Sequence, residues 1–564
     1  MEPATIAAQL RELAVYYELD GDRHRAFAYE RAAKSLEAAN GLHRLLDENR
    51  LEELPGVGAS IARTVAELAR RGTVAVLERL RVKWPSVVIE LAQLPGIGVT
   101  KARTIFQAAS PSDLDAVAAM CKAGAIATLP GFGKLSQTKL LEAIERRRLE
   151  GSRILLVDAD ASARSLAHHL RAEPDVTRVE ICGPVRRWCE VIDHLAYAVA
   201  APAVEPVIEW LASFGLVTSV DRSRASERAP IVGRLADGLR IEVFVAEPAR
   251  FGWAAITATG SRDHVAQLIE RARARGLDLD QLAAAEEADV YGALELPWIP
   301  PELRDGSDEL SAADAGDRFT DLITLEDITT ATHCHTTYSD GKNSIAEMVA
   351  AAAERGFHAI TITDHSEASS YAGGLDLAKL REQATELATL GPQPIRVLHG
   401  TEADILADGT IDVPPEILGD LDVVIASVHQ RFKLDSDAMT QRLITAMRQP
   451  FFKIWGHALG RLVLRRDPID VRIDDVLDAA AESRAAVEIN GDPYRLDLDP
   501  INARKAAARG LRFVLSCDAH SVRSLDATRF AVAMARRARL RKHQVLNALA
   551  PEELAAVIRP TADR

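Results

Sequence analysis

The chain has 564 residues, long enough for roughly three or four domains. Hydrophobic residues make up 48% and charged residues 27%, the balance of a folded globular protein, and no apolar run is long enough to cross a bilayer. Five cysteines exclude a disulfide framework, and the opening MEPATIAAQLRELAVYY lacks the basic stretch of a signal peptide, so a reducing cytoplasm with no membrane partner is expected.

The net charge of −14 is unevenly spread. Residues 1–150 hold 21 Lys+Arg against 19 Asp+Glu, a balance of +2; the rest holds 47 against 63, a balance of −16. A nucleic-acid role is therefore open to the front and disfavoured for the acidic rear.

In the front, Asp20-Gly21-Asp22 precedes a helical stretch, HRAFAYERAAKSLEAA, that carries Phe27, Tyr29 and arginines. Three repeats follow: Leu54-Pro55-Gly56-Val57-Gly58, Leu94-Pro95-Gly96-Ile97-Gly98 and Leu129-Pro130-Gly131-Phe132-Gly133, each opening an amphipathic helix. The glycines Gly56, Gly58, Gly96, Gly98, Gly131 and Gly133 permit tight turns, and each helix start offers free N–H groups to a phosphate. Such contacts carry no base information, so the expected partner is the DNA backbone, bound independently of sequence. Lys101, Lys134 and Lys139 lie near the second and third turns. The repeats resemble helix-hairpin-helix motifs, and the front resembles the small N-terminal domain of family X DNA polymerases. In that family a lysine on the helix after the first hairpin forms a Schiff base with an abasic sugar. The stretch ASIARTVAEL has none, and Arg63, always charged, cannot replace it, so lyase activity is not expected.

The middle continues the resemblance. Gly183-Pro184-Val185-Arg186-Arg187 is similar to the family's triphosphate-binding turn, with Pro184 in place of a serine. The family's Asp-x-Asp, whose two carboxylates share one strand face and bind two metal ions, matches His194-Leu195-Ala196 here. Asp193 is one residue out of register, and Glu242 stands at the third acidic position. One carboxylate cannot hold two metal ions, so this region is expected to hold DNA without polymerising it.

From about residue 325 short apolar strands alternate with amphipathic helices, with strands expected near 329–334, 358–363, 395–402, 422–428, 453–456, 486–490 and 512–517. Helices are expected between them, for example Ser344–Glu354 and Ala503–Ala508. Such alternation predicts a parallel sheet or barrel with its chemistry at the strand C-termini. His333, His335, Asp364, His365, Glu402, His429, His457, Asp518 and His520 fall there, and they include six of the chain's 15 histidines. His-x-His puts two imidazoles on one face, and imidazole with carboxylate suits Zn, Mn or Fe. His358 and His399 precede strand ends, while Cys334 and Cys517 read as buried neighbours; all four are expected to be non-ligands.

The order HCHTTYSDG, TDHS, GTEADIL, SVHQ, GHALGRL, EINGDPYRLDL and SCDAHS resembles the PHP (polymerase and histidinol phosphatase) domain, in the version fused to bacterial family X polymerases. The resemblance implies three divalent metal ions, Mn or Zn, with Fe also suitable. One would take His333, His335, Glu402 and Asp518; a second Glu402, His429 and His457; a third Asp340, His365 and His520. It further implies that Asp364 and Asn490 orient ligands and that Arg495 serves catalysis together with His333, His335, Glu402 and Asp518. Arg461, Arg465 and Arg466 are further candidates for a phosphate clamp.

The expected architecture is thus multidomain. An all-α helix-hairpin-helix region (1–80 and 81–150) precedes an α+β nucleotidyltransferase-like middle (151–300) and a distorted (β/α)7 PHP barrel (325–564). The expected activity is metal-dependent 3′–5′ exonucleolytic cleavage of DNA ends or gaps in repair, at the bacterial nucleoid. Alternatives are a phosphomonoesterase acting on a 3′-phosphate or a small ester, and a non-catalytic DNA-binding scaffold.

Overall fold

A computed structural model describes residues 3–38, 42–48, 50–71, 74–92, 94, 96–150, 153–222 and 229–561. Pro95, part of the second repeat, lies outside the described residues. The chain forms two compact units: residues 1–298 with 305–307, and residues 299–304 with 308–564.

In the first unit, the segments expected as 1–80, 81–150 and 151–300 pack together. The helices α1 (Pro3–Leu19) and α2 (Arg23–Ala38) form a pair in which Tyr17 stacks on Tyr29 at 5.3 Å. The three repeats fold alike. A backbone bond closes each turn, from Val57 N–H to the Leu54 carbonyl (3.0 Å), Ile97 to Leu94 (3.1 Å) and Phe132 to Leu129 (3.1 Å). Each turn opens a helix: α3 (Ala59–Arg71), α4 (Gly98–Ala109) and α5 (Lys134–Glu150).

The middle is a five-stranded mixed sheet of β1 (Arg178–Cys182), β2 (His194–Ala200), β3 (Val217–Asp221), β4 (Ile231–Leu235) and β5 (Arg240–Ala246), in the order β1-β2-β5-β4-β3. Only β2 and β5 run parallel.

The second unit is built on seven parallel strands in sequential order: β6 (Thr330–Cys334), β7 (Ala359–Ile362), β8 (Arg396–Asp404), β9 (Val423–Ser427), β10 (Lys453–Trp455), β11 (Ala485–Asn490) and β12 (Phe513–Ser516). All seven expected strands are present. The first meets the last through a bridge between Cys334 and Ala519, so the sheet is a nearly closed barrel. Buried Asn547 staples that seam, accepting from Leu515 N–H (3.0 Å) and donating to the carbonyls of Leu515 (2.7 Å) and Thr330 (3.1 Å).

The unit starts before residue 325. Glu302 and Asp308 bind Arg536 and Arg539, each at 2.7 Å, and tie the preceding segment to the helix Thr528–Arg537 and the residues after it. Helix starts follow capping chemistry. Ser344 and Glu347 form a reciprocal capping box ahead of Ile345–Glu354. The helix expected at Ala503 begins at Pro500, because Asp499 caps it and proline suits a first helical position.

Candidate metal centre

The barrel strands deliver their terminal residues to one rim. His333 is the penultimate residue of β6 and His335 follows it; His365 follows β7; Glu402 lies near the end of β8; His429, His457 and the Asp518–His520 pair follow β9, β10 and β12. Glu402 is the hub. Its Oε1 lies 2.9 Å from His457 Nε2 and 3.2 Å from His429 Nε2, and its Oε2 lies 3.0 Å from His365 Nδ1 and 3.3 Å from His333 Nε2. Asp518 Oδ1 lies 3.1 Å from His335 Nε2, and Asp340 Oδ1 lies 3.3 Å from His520 Nε2.

Three ligand-like groups result: His335, Asp340, His365 and His520; His333, His335 and Asp518; His365, Glu402 and His429. The grouping differs from the one implied by resemblance, in which His335 and His365 each served one ion. Their rings stack at 4.5 Å, which places both between neighbouring groups.

Burial and charge make this an unusual cluster. His333, His335 and Glu402 are fully buried. Burial opposes the ionised form of Glu402, yet His429, His333 and His365 hold its carboxyl well below the usual range. Burial and the neighbouring His365 bring His335 down to about 4, which keeps it a neutral imidazole, the ligand form. Eight buried polar atoms of these residues have no hydrogen-bond partner: Nε2 of His333, both ring nitrogens of His335, Nδ1 of His365, Oε2 of Glu402, Nε2 of His429, Nδ1 of His457 and Oδ1 of Asp518. Buried polar atoms without partners are costly. Divalent cations fit this donor set of imidazoles and carboxylates and would supply the partner these atoms lack.

The backbone is bent to aim these groups. His333, His457 and Asp518 adopt φ of +60°, +24° and +50°, a region that side-chain-bearing residues rarely occupy and that clusters at functional sites.

A second layer positions the ligands, and sequence reasoning captured part of it. Asn490 donates toward Asp518 Oδ2 (3.4 Å) and Glu488 Oε2 (3.2 Å). Asp364 touches the loop rather than a ligand ring, accepting from Thr336 N–H (2.8 Å), the Ser339 hydroxyl (2.5 Å) and Gln383 (2.6 Å). It thereby fixes the turn that carries Asp340. His399 contacts the other end of Gln383 at 3.1 Å, so it supports the site from outside.

Glu488 and Asp404 escaped the sequence reading. Glu488, fully buried, meets His333 Nδ1 at 2.5 Å, the His457 N–H at 2.5 Å and the Ser516 hydroxyl at 2.6 Å. Asp404 meets His429 Nδ1 at 3.2 Å and Ser369 at 2.5 Å. The signal was an acidic residue inside an apolar strand, visible in AVEIN and TEADI.

Of the expected arginines, Arg495 faces the centre, its Nε 3.4 Å from Asp518 Oδ2. Arg461 is instead engaged with the carbonyls of Arg495 and Leu496 and is not available to clamp phosphate. Arg465 and Arg466 lie over the rings of Tyr494 (4.9 Å) and Phe432 (4.1 Å). Cys334 and Cys517 are buried and outside the ligand groups, and His358 is exposed.

In the first unit, Gly96 and Gly131 take φ of +79° and +80°, and a Cβ at Gly96, Gly98, Gly131 or Gly133 would meet nothing within 4 Å. These two turns are open. At Gly56 the Arg31 side chain covers the turn. Lys101 donates to the Gly96 carbonyl (2.9 Å) and lies 5.6 Å from the Phe132 ring, so it links the second turn to the third.

In the middle sheet, Ala196 pairs in register with Glu242, and Glu242 is itself paired with Arg240 at 2.6 Å. Asp193 precedes β2 rather than lying in it, and it bonds His194 Nδ1 at 2.7 Å. Arg186 is clamped by Glu287 at 2.6 Å.

Comparison with known proteins agrees with this geometry. Residues 331–492 match the PHP domain, 1–74 a helix-hairpin-helix domain, 88–146 a SAM-like helix-hairpin-helix tandem and 254–305 the DNA polymerase beta thumb. The chain is 29% identical over 573 residues to the DNA polymerase/3′-5′ exonuclease PolX of Bacillus subtilis, covering 99% of this chain and all of that protein. Over 206 residues it is 32% identical to a probable phosphatase of Caldanaerobacter subterraneus, covering 34% of this chain and 75% of that protein. Over 218 residues it is 31% identical to a probable phosphatase of Thermoanaerobacter sp., covering 36% and 82%. With its hairpin repeats, its thumb match and its strand-end ligand cluster, the chain belongs to the family X polymerases that carry a C-terminal PHP domain.

Proposed function

We propose that this protein is a metal-dependent 3′–5′ exonuclease that trims DNA ends in repair, with the barrel as its hydrolytic centre and a middle region that does not polymerise. The observation that carries the reading is the ligand cluster around Glu402, with its eight buried atoms lacking hydrogen-bond partners. When bound, Mn or Zn ions supply Lewis acidity, which makes water nucleophilic near neutral pH and neutralises charge on a phosphoryl group.

The ligands in this reading are His333, His335, Asp340, His365, Glu402, His429, His457, Asp518 and His520. Arg495 binds a phosphate oxygen, since its guanidinium reaches Asp518 at the centre. Glu488, Asp404 and Asn490 hold ligands in orientation. The hairpin turns at Gly56–Gly58, Gly96–Gly98 with Lys101, and Gly131–Gly133 with Lys134 bind the DNA backbone and raise its concentration near the barrel through the covalent link. The inactive middle is supported by Ala196 opposite Glu242, which leaves one acidic residue at the three matching positions.

A second reading, phosphomonoester hydrolysis, draws on the two probable phosphatases that resemble the barrel. One assay separates the two: incubate the protein with Mn2+ and 5′-labelled DNA ending in a 3′-hydroxyl or a 3′-phosphate, with and without nucleotides. A ladder of shortened products is expected, and His333→Ala should abolish it. Loss of the 3′-phosphate alone would favour the phosphatase reading. Extension with nucleotides would refute an inactive middle.

A further inference from the structure

Tyr371 stands out on the rim of the metal centre. Its ring centroid lies 6.4 Å from that of His365 and 6.3 Å from that of His429, yet the residue is 68% exposed. What sets it apart from other exposed apolar side chains is its place beside two strand-end histidines, where it offers a flat face next to the chemistry.

The loop beneath it is fixed from several sides. Ser369 donates to Asp404 Oδ2 (2.5 Å), the Ala368 N–H donates to Asp412 (2.9 Å), and the Leu375 N–H donates to the His365 carbonyl (2.8 Å). At Gly374 a Cβ would lie 1.9 Å from the Ser366 carbonyl oxygen, so the loop also packs tightly on itself. Tyr371 is therefore a preorganised platform rather than a side chain on a loose loop.

We propose that Tyr371 makes the barrel select a polynucleotide end, by stacking on the terminal base while its phosphate lies among the strand-end ligands. The proposal rests on the exonuclease reading above. A π-face accepts any base, which suits a nuclease without sequence preference. Arg495, whose Nε lies 3.4 Å from Asp518 Oδ2 at the same centre, supplies charge for the phosphate of that nucleotide. A small phosphate ester without a flat ring gains nothing from such a platform.

The test is a cycle between enzyme and substrate. Wild type, Tyr371→Ala and Tyr371→Phe are assayed with Mn2+ on 5′-labelled single strands ending in thymidine or in an abasic tetrahydrofuran residue. Thermal melting checks that each variant is folded. Wild type should prefer the base-bearing end by about 10- to 100-fold, chiefly through KM. Tyr371→Ala should bring that ratio close to one, and Tyr371→Phe should keep it. A ratio that survives in Tyr371→Ala, or that is already one in wild type, overturns the assignment while leaving the exonuclease reading intact. If wild type shortens neither strand but hydrolyses p-nitrophenyl phosphate, the exonuclease reading fails and the assignment fails with it.

Discussion

Glu488 shows how much a single side chain decides at this site. It is a buried carboxylate with bonds to His333, the His457 backbone and Ser516, and it is not itself in a ligand group. A carboxylate on the far nitrogen of an imidazole sets the tautomer and raises its basicity toward a metal. Glu488→Gln keeps the shape and removes the charge. It is expected to weaken metal affinity by about 10- to 100-fold, measured by chelator competition, with a smaller rise in melting temperature on adding Mn2+. Unchanged metal affinity would show that Glu488 is only packing. Lys453 makes a different case at the other end of β10. It is fully buried, donates to the carbonyls of Met447 (2.7 Å) and Gln449 (2.6 Å), and is brought down to about 7 by burial and nearby Arg484. Between that value and its ordinary 10.5 the unfolded chain binds a proton that the folded chain does not. Stability contributed by this lysine therefore rises with pH across that window, by at most about 1.4 kcal/mol per pH unit. Lys453→Met should flatten the rise, read as the difference in urea midpoint between pH 7 and pH 9. An identical pH slope in wild type and variant would refute the assignment.

At the scale of elements, the three hairpins are one device used three times, and their turns are not equivalent. The second and third are open at their glycines, while Arg31 covers the first. Space is not what forbids a side chain at Gly96 or Gly131; the positive φ is. Alanine there costs roughly 1–2 kcal/mol of backbone strain, which the turn relieves by distorting. Gly96→Ala with Gly131→Ala should lower affinity for single- or double-stranded DNA by about 10-fold or more, measured by fluorescence anisotropy. Hydrolysis of bis(p-nitrophenyl) phosphate, a diester, by the barrel should persist. Unaltered DNA affinity would place DNA binding elsewhere. The barrel strands are the opposite kind of element, mostly short and apolar with polar residues toward their ends. They could be read because they are largely buried and most are followed by a helix. The segment before residue 325 was harder to place, because ion pairs such as Arg539–Asp308 act across a long sequence distance, whereas the Pro500 helix start follows from the local cap at Asp499.

For the whole molecule, the uneven charge sets the hairpin region, residues 1–150, apart from the rest of the chain rather than one compact unit from the other. The front carries +2, and the remainder −16, with the acidic ligands among it. DNA affinity should then reside mainly in residues 1–150 and fall with salt as phosphate contacts are screened. A chain reduced to residues 299–564, which keeps the segment tied to Arg536, is expected to hydrolyse bis(p-nitrophenyl) phosphate at a rate insensitive to salt. The full chain should lose exonuclease activity steeply between 50 and 200 mM salt. Equal salt sensitivity in both would remove the hairpins from the substrate-binding role.

The sequence by itself determined the seven barrel strands, the three hairpins and the gathering of histidines and carboxylates at strand ends, because these depend on local periodicity and on residue type. Only the tertiary structure decided how the ligands group, that Glu488 and Asp404 stand behind His333 and His429, that Arg461 is engaged with backbone carbonyls while Arg495 faces the centre, and that Tyr371 is left exposed on the rim. Those facts join residues as far apart as His333 and Glu488, and no local pattern encodes a contact across 155 residues.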